Sequence, residues 1–383
     1  MTETRFINAR VVTPEAVIAG GVVVVDGQIT AIEPGLGEAA GSVDLDGDLL
    51  IPGLIDIHTD NLERHFEPRS GVRWDSLGAV LAHDSQMAGA GITTVFDSLS
   101  LNGYRKGFDR TSALSPMIAS LNAAREEKIL RADHFLHLRC EVREPTLLRT
   151  LHTYLDDPLL KLLSLMDHSP GQRQYRNLDE AEIRRRAMHL GHAGQDVEDV
   201  IENWRNRIPD ACALDNWRAV VEIAREGGLP LATHDDELVD HVHQSKQDGA
   251  VISEFPVTIE AAAEAGRQNL SVFMGAPNLI RGGSHSGNVS AAEVATAGYL
   301  HGLASDYVPM SMLRAAFRLT EAPFLMPLPT AIATVTATPA RVTGLDDRGE
   351  IVVGKRADLV RVFVSQDGWP VVREVWREGA RVA

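Results

Sequence analysis

Leu49-Leu50-Ile51-Pro52-Gly53-Leu54-Ile55-Asp56-Ile57-His58-Thr59-Asp60 is the stretch whose reading decides the fold. It begins as an apolar strand and ends in a His-x-Asp pair. Side chains alternate along a strand, so His58 and Asp60 are expected on one side. An imidazole nitrogen and a carboxylate side by side at a strand end can bind a divalent metal. Pro52-Gly53 makes the turn that feeds the strand in. Read alone, such a pair is an ordinary solvated strand end. Further His, Glu and Asp residues, each ending its own apolar run, change that reading.

Working outward, eight apolar runs alternate with helical stretches: Leu54–His58, Ile92–Asp97, Phe135–Glu141, Leu162–His168, Leu231–His234, Ala250–Glu254, Leu270–Met274 and Leu303–Asp306. The alternation argues for parallel βα units. Eight of them predict a TIM-like (β/α)8 barrel over residues 51–344, with functional residues at the strand C-termini. An open doubly wound sheet is the competing fold, but no Gly-rich dinucleotide fingerprint follows the first strand. Residues 177–228 read as helical and charged. They exceed one crossover helix, so an insertion that could form a lid is expected. Both ends differ from the middle. Phe6–Val12, Gly21–Val25 and Gln28–Ile32, with a turn at Asp26-Gly27, read as strands. So do Asp358–Val364 and Val371–Trp376. Residues 1–50 and 345–383 are therefore expected to form one small β-sandwich domain from both termini.

The strand ends carry the chemistry. They supply His58 and Asp60, Glu141, His168, His234 and Asp306. Three histidines and three carboxylates on one barrel mouth could hold one or two divalent ions, making this a metal-dependent hydrolase barrel. Such ligands accept Zn, Mn or Fe. Glu141 could bridge two ions roughly 3.5–4 Å apart, which make a nucleophile of water at neutral pH. Asp306 would take the proton of that water as general base. Neighbouring residues have plainer readings. His137 reads as a packing or hydrogen-bonding histidine, His83 as a surface or helix-packing residue, and Cys140 as a small buried hydrophobe. Glu254 reads as a ligand or as a carboxylate behind the ligands. The alternation that turns Glu141 inward turns Arg139 inward too, which is costly unless that arginine is paired.

Two loops look suited to phosphate. Gly282-Gly283-Ser284-His285-Ser286-Gly287-Asn288 offers backbone N–H groups for an anion nest, with Arg281 and His285 as further donors. Asn61–Arg69 carries Arg64, His65 and Arg69. A third basic stretch is Ser98–Lys106. Each is otherwise an ordinary surface loop.

Bulk composition bounds the rest. The chain has 383 residues, 44% of them hydrophobic, enough for a sizeable core. Two cysteines argue against a disulfide framework and fit a reducing compartment. Lys and Arg total 37 against 53 Asp and Glu, a net charge of −16. Nucleic acid is not expected as a partner of so acidic a chain. A small anionic substrate needs local cationic groups. No secretory signal and no apolar run of membrane-spanning length is legible, so no membrane partner is expected and the cytoplasm is the expected compartment. A homo-oligomer is left open.

At this point a resemblance emerges. Ile51–His58, Gly91-Ile92-Thr93-Thr94-Val95-Phe96-Asp97 and Gly354-Lys355-Arg356-Ala357-Asp358-Leu359-Val360 resemble, respectively, the barrel opening, second strand and C-terminal return of the amidohydrolase superfamily. Most members carry His-x-His where this chain has His58-Thr59-Asp60. The string His58–His65 is similar to one branch, the sugar triphosphate diphosphatases of the carbon–phosphorus lyase (phosphonate metabolism) pathway. Arg139–Val142, Ser164–Gln172, Ser253–Thr258, Gly275–Asn278 and Gly282–Asn288 are similar to that branch as well. The resemblance implies a small-molecule sugar triphosphate as substrate, a ribose 1-methylphosphonate 5-triphosphate. Its hydrolysis between the α- and β-phosphorus would release pyrophosphate, which Arg64, His65, Arg281, Ser284, His285 and Asn288 would help to hold. The alternative enzyme is an amidohydrolase acting on a C–N bond, as a cyclic amidase, deacetylase or deaminase. The basic and Gly/Ser loops speak against it, because a neutral amide does not need them. A non-catalytic scaffold of the same fold would be expected to have lost the strand-end ligands.

Overall fold

The computed structural model describes residues 2–35, 41–69, 71–101, 110–168, 173, 210–284 and 287–383. Its first five strands are β1 (Glu3–Val12), β2 (Val17–Val25), β3 (Gln28–Pro34), β4 (Val43–Asp44) and β5 (Leu49–Pro52). The barrel strands follow as β6 (Leu54–Thr59), β7 (Ile92–Ser100), β8 (Asp133–Glu141), β9 (Leu160–Met166), β10 (Leu231–His234), β11 (Ile252–Glu254), β12 (Ser271–Gly275) and β13 (Gly302–Ala304). The chain ends in β14 (Leu359–Val364), β15 (Pro370–Arg377) and β16 (Ala380–Arg381).

The two ends of the chain meet on β5. It runs parallel to β1 on one side and antiparallel to β14 on the other. One eight-stranded sheet thus holds strands from both termini. The period of two decides what each face covers. Leu50 packs with Phe6, Val11, Val22, Leu359 and Trp376, while Leu49 and Ile51 join the main core. Phe6 and Trp376 meet edge to face at 4.9 Å. At Gly53 the chain passes from β5 into β6. A Cβ there would lie 2.1 Å from Thr93 Oγ1 of β7, so only glycine lets this junction approach β7 so closely.

Strands β6 to β13 form the second sheet in unbroken sequence order, with every neighbouring pair parallel. It closes through the backbone: Asp306 N–H donates to His58 C=O at 2.9 Å, and Asp60 N–H donates to Asp306 C=O at 2.7 Å. The eight expected strands are all present. A separate apolar cluster draws on the barrel strands through Ile55, Ile57, Phe96, Leu162, Ala232, Ile252, Phe273 and Ala304, with Phe135 packed against it. This is the layer with which a closed barrel fills its interior. Among the described residues no helix is long and apolar enough to cross a membrane. Of the expected insertion, the part from 210 onward forms the helix Asp210–Glu226; residues 177–209 lie outside the described residues.

Candidate metal centre

The closing hydrogen bonds fall on the residues that the strand ends were expected to offer. His58 and Asp60 flank the end of β6, Glu141 ends β8, and His168 lies two residues beyond β9. His234 ends β10, and Asp306 lies two residues beyond β13. All six gather at one mouth. His58 Nε2 is 3.8 Å from Asp60 Oδ1. Ligand atoms of His58, Asp60 and Asp306 lie within 4.8 Å of one another. The ring of His234 lies 5.6 Å from His58 and 5.8 Å from His168. The His168 Nδ1–Glu141 Oε2 distance is 2.7 Å.

The backbone turns sharply at this rim. Asp235, Phe255 and Asp306 follow strand ends with φ of 59°, 53° and 54°. Aspartate tolerates the left-handed region, but a bulky residue there is strained by roughly 1–3 kcal/mol. At Phe255 the strained turn seats the ring against both His58, at 5.0 Å, and His234, at 5.2 Å. That apolar wall helps to fix both imidazoles.

Four further polar residues enter the mouth. Arg139 Nη1 donates to Asp60 Oδ1 at 2.7 Å, which supplies the pairing that its inward position demands. Asp235 brings Oδ2 to 3.5 Å from His168 Nε2 and 2.7 Å from His234 Nδ1. Glu254 Oε1 lies 3.2 Å from His58 Nδ1, and its Oε2 lies 3.8 Å from His137 Nε2. His137 Nδ1 faces the Ile57 carbonyl at 2.9 Å, so it is the hydrogen-bonding histidine its position in β8 suggested. Asp235 had a visible signal, standing directly after a strand-end histidine. Arg139 had only its parity with Glu141.

Burial sets the protonation states. It lowers His58 to about 3, with Arg139 acting in the same direction. It lowers His137 to about 3 against the pull of Glu254. Both imidazoles are therefore neutral, the form that ligates metals. Burial lifts the Asp306 carboxyl to about 7; Asp60 adds to this and Arg139 opposes it. His234 Nδ1 and Nε2, Asp235 Oδ2, His137 Nε2 and Glu254 Oε2 are buried without a properly oriented hydrogen-bond partner among the described residues. Such orphans are rare and call for an explanation. Imidazole nitrogens and carboxylate oxygens converging in this way suit a divalent cation.

The expected anion-binding residues divide. Arg64 Nη1 donates to the Tyr307 carbonyl at 3.2 Å, and Arg281 Nη1 reaches the Tyr307 hydroxyl at 3.4 Å. Two exposed arginines thus converge beside Asp306. His65 turns instead to Gln86 Oε1 at 2.9 Å. Ser284 and Asn288 are half-buried in the loop after the helix Ala276–Arg281. His285, Ser286, residues 102–106 of the third basic stretch and residues 169–172 lie outside the described residues.

Of the two readings of His83, surface or helix-packing, the first is corrected: the residue is wholly buried. It sits on α2 (Ser76–Gly89), which follows α1 (Asn61–Phe66). His83 Nε2 lies 2.6 Å from Asp97 Oδ1, and Asp97 Oδ2 lies 2.8 Å from His134 Nδ1. The other nitrogen of His83 faces Asn61 Nδ2 at 3.0 Å. The network therefore anchors the start of α1, immediately after Asp60.

Comparison with known proteins agrees with this geometry. The model of the amidohydrolase family matches residues 49–382. The chain is 39% identical over 378 residues to the α-D-ribose 1-methylphosphonate 5-triphosphate diphosphatase of Escherichia coli (strain K12), covering 98% of this chain and 99% of that one. Among solved structures, N-acetylglucosamine-6-phosphate deacetylase from Pasteurella multocida superposes with a TM-score of 0.66 at 13% identity, covering 99% of each chain. The 5-methylcytosine deaminase from Klebsiella pneumoniae gives 0.66 at 15% identity, covering 99% of this chain and 97% of that one. These two likenesses concern the fold. With a closed parallel barrel, a His and carboxylate mouth and a family match along most of its length, the chain belongs to the metal-dependent amidohydrolase family.

Proposed function

We propose that this enzyme hydrolyses α-D-ribose 1-methylphosphonate 5-triphosphate to α-D-ribose 1-methylphosphonate 5-phosphate and pyrophosphate, as a cytoplasmic step of phosphonate catabolism. The observation that carries the reading is the 39% identity to the E. coli diphosphatase along 98% of the chain. The convergence of Arg64 and Arg281 on Tyr307, beside Asp306, supports it, because a triphosphate needs cationic partners.

We assign His58, Asp60, Glu141, His168, His234 and Asp306 to hold one or two divalent ions. When bound, such ions make water nucleophilic at neutral pH and neutralise charge on phosphoryl oxygens. Asp306 accepts the proton of the attacking water as general base. Water attacks the α-phosphorus, the bond from that phosphorus to the bridging oxygen breaks, and pyrophosphate departs with the bridging oxygen. Arg64 and Arg281 stabilise the charge on the leaving group, as phosphoryl transfer requires. Ser284, His285 and Asn288 complete the anion site. Phe255 and the buried carboxylates keep the imidazoles in place.

A panel of sugar and nucleoside triphosphates, cyclic amides and N-acetylated sugars tests the assignment. Pyrophosphate release from the ribose triphosphate is expected. Turnover of an amide without turnover of any triphosphate would replace the reading with C–N hydrolysis.

A further inference from the structure

We propose that Arg139 supplies from the protein the positive charge that a second divalent ion would bring, so that the mouth holds a single ion. The inference rests on the metal-dependent reading above and specifies the number of ions. It begins with Asp60, the carboxylate of the His-x-Asp pair at the end of the first barrel strand. A neutral imidazole there would leave its ligand nitrogen to a metal. A carboxylate brings a negative charge, and in this chain that charge is matched.

Arg139 is 9% exposed. Its Nη1 donates to Asp60 Oδ1 at 2.7 Å, and its Nε lies 3.3 Å from Met166 Sδ. The guanidinium is thus fixed by β9 and by the end of β6. The oxygen it holds, Asp60 Oδ1, is the one that lies 3.8 Å from His58 Nε2. A cation using that oxygen together with His58 would share it with a permanent positive charge. The other nitrogen of His58 is occupied by Glu254 at 3.2 Å. On the His58 side of the mouth, then, the Asp60 carboxylate already has a cation.

The opposite side is different. His168, His234 and Asp235 bring ligand atoms within 4.8 Å of one another, and Glu141 Oε2 lies 2.7 Å from His168 Nδ1. Both nitrogens of His234 and Oδ2 of Asp235 are among the buried orphans; the other two at the mouth, His137 Nε2 and Glu254 Oε2, face each other at 3.8 Å. The group around His168 takes the ion: of the six residues assigned above, Glu141, His168 and His234, joined by Asp235, hold it, and His58, Asp60 and Asp306 do not. Arg139, with five N–H donors in a planar fork, retains donors for a phosphoryl oxygen.

Metal content of the resting protein, without substrate, tests this directly. The purified chain and Arg139→Met are each loaded with excess Mn2+, desalted, and analysed by mass spectrometry and electron paramagnetic resonance. One ion per chain with an uncoupled spectrum is expected for the wild type. Two ions with an exchange-coupled spectrum are expected for Arg139→Met, whose side chain no longer supplies the positive charge beside Asp60. Arg139→Lys keeps the charge and should remain at one ion. If Arg139→Met does not fold, Arg139→Gln is read in its place. Two coupled ions in the wild type would overturn the proposal, as would one ion in both wild type and the charge-removing variant. A wild type with one ion that turns over no triphosphate would sink the substrate reading and leave this inference standing. A wild type that binds no ion would overturn both.

Discussion

Replacing Asp97 by Asn should cost stability in a manner that depends on pH. Asp97 lies between His83 and His134, at 2.6 and 2.8 Å, and all three side chains are buried. The second nitrogen of His134 is 3.4 Å from Asp84 Oδ1. Asp84 in turn accepts from the backbone N–H groups of Arg131 and Ala132 at 2.8 and 2.9 Å. Burial disfavours the His134 imidazolium, but Asp97 and Asp84 outweigh it and lift the group to about 9. Burial keeps His83 neutral against the same carboxylate, so its Nε2–H can donate to Asp97 while Nδ1 accepts from Asn61. An unfolded histidine titrates near 6.5 (roughly). Between that value and about 9 the folded chain holds a proton that the unfolded chain has released. The resulting stability is present in full below pH ~6.5 and is lost as pH rises through ~9. The rise from roughly 6.5 to about 9, at about 1.4 kcal/mol per pH unit, corresponds to roughly 3–4 kcal/mol. In Asp97→Asn the main attraction is gone while burial remains, so His134 is neutral throughout. Breaking a buried pair of this kind costs about 3–5 kcal/mol at neutral pH. Denaturant unfolding of wild type and variant at pH values from 6 to 10 should show a gap that narrows by roughly 3–4 kcal/mol across the window. A gap that stays constant with pH would refute the reasoning.

His168→Ala and His234→Ala should each lose bound metal as measured by mass spectrometry; wild-type content in both would remove them from the ligand set. Asp306→Asn should keep its metal yet lose about 10²-fold or more in kcat, because the general base is gone. We propose residues 1–50 and 345–383 as one domain. A chain ending at Arg341 lacks β14 to β16 and takes Trp376 from Phe6, which alone is worth about 3–5 kcal/mol. It should be insoluble or melt well below the full chain, and an unchanged Tm would count against the shared domain.

Much of the fold was legible because it is written in local patterns. The eight barrel strands are apolar runs, and their order in the sheet is the order of the chain. The union of the termini was legible too, since neither end has the apolar residues to bury a core alone. At the mouth, residues that end strands could be found by position: His58, Glu141 and His234. Residues defined by partners could not. His83 lies between exposed Ala82 and buried Asp84 on α2, and only the fold reveals that its ring faces Asp97. Arg139 was suspect by parity, but its partner Asp60 is 79 residues away. The approach of Arg64 and Arg281 to Tyr307 brings together two short helices more than two hundred residues apart, which no spacing rule connects.

The reaction is tested most directly by hydrolysis of the ribose triphosphate in oxygen-18 water, with both products analysed by mass spectrometry. Attack at the α-phosphorus predicts the label in the sugar monophosphate and unlabelled pyrophosphate. Label in the pyrophosphate would mean attack at the β-phosphorus and would contradict the mechanism.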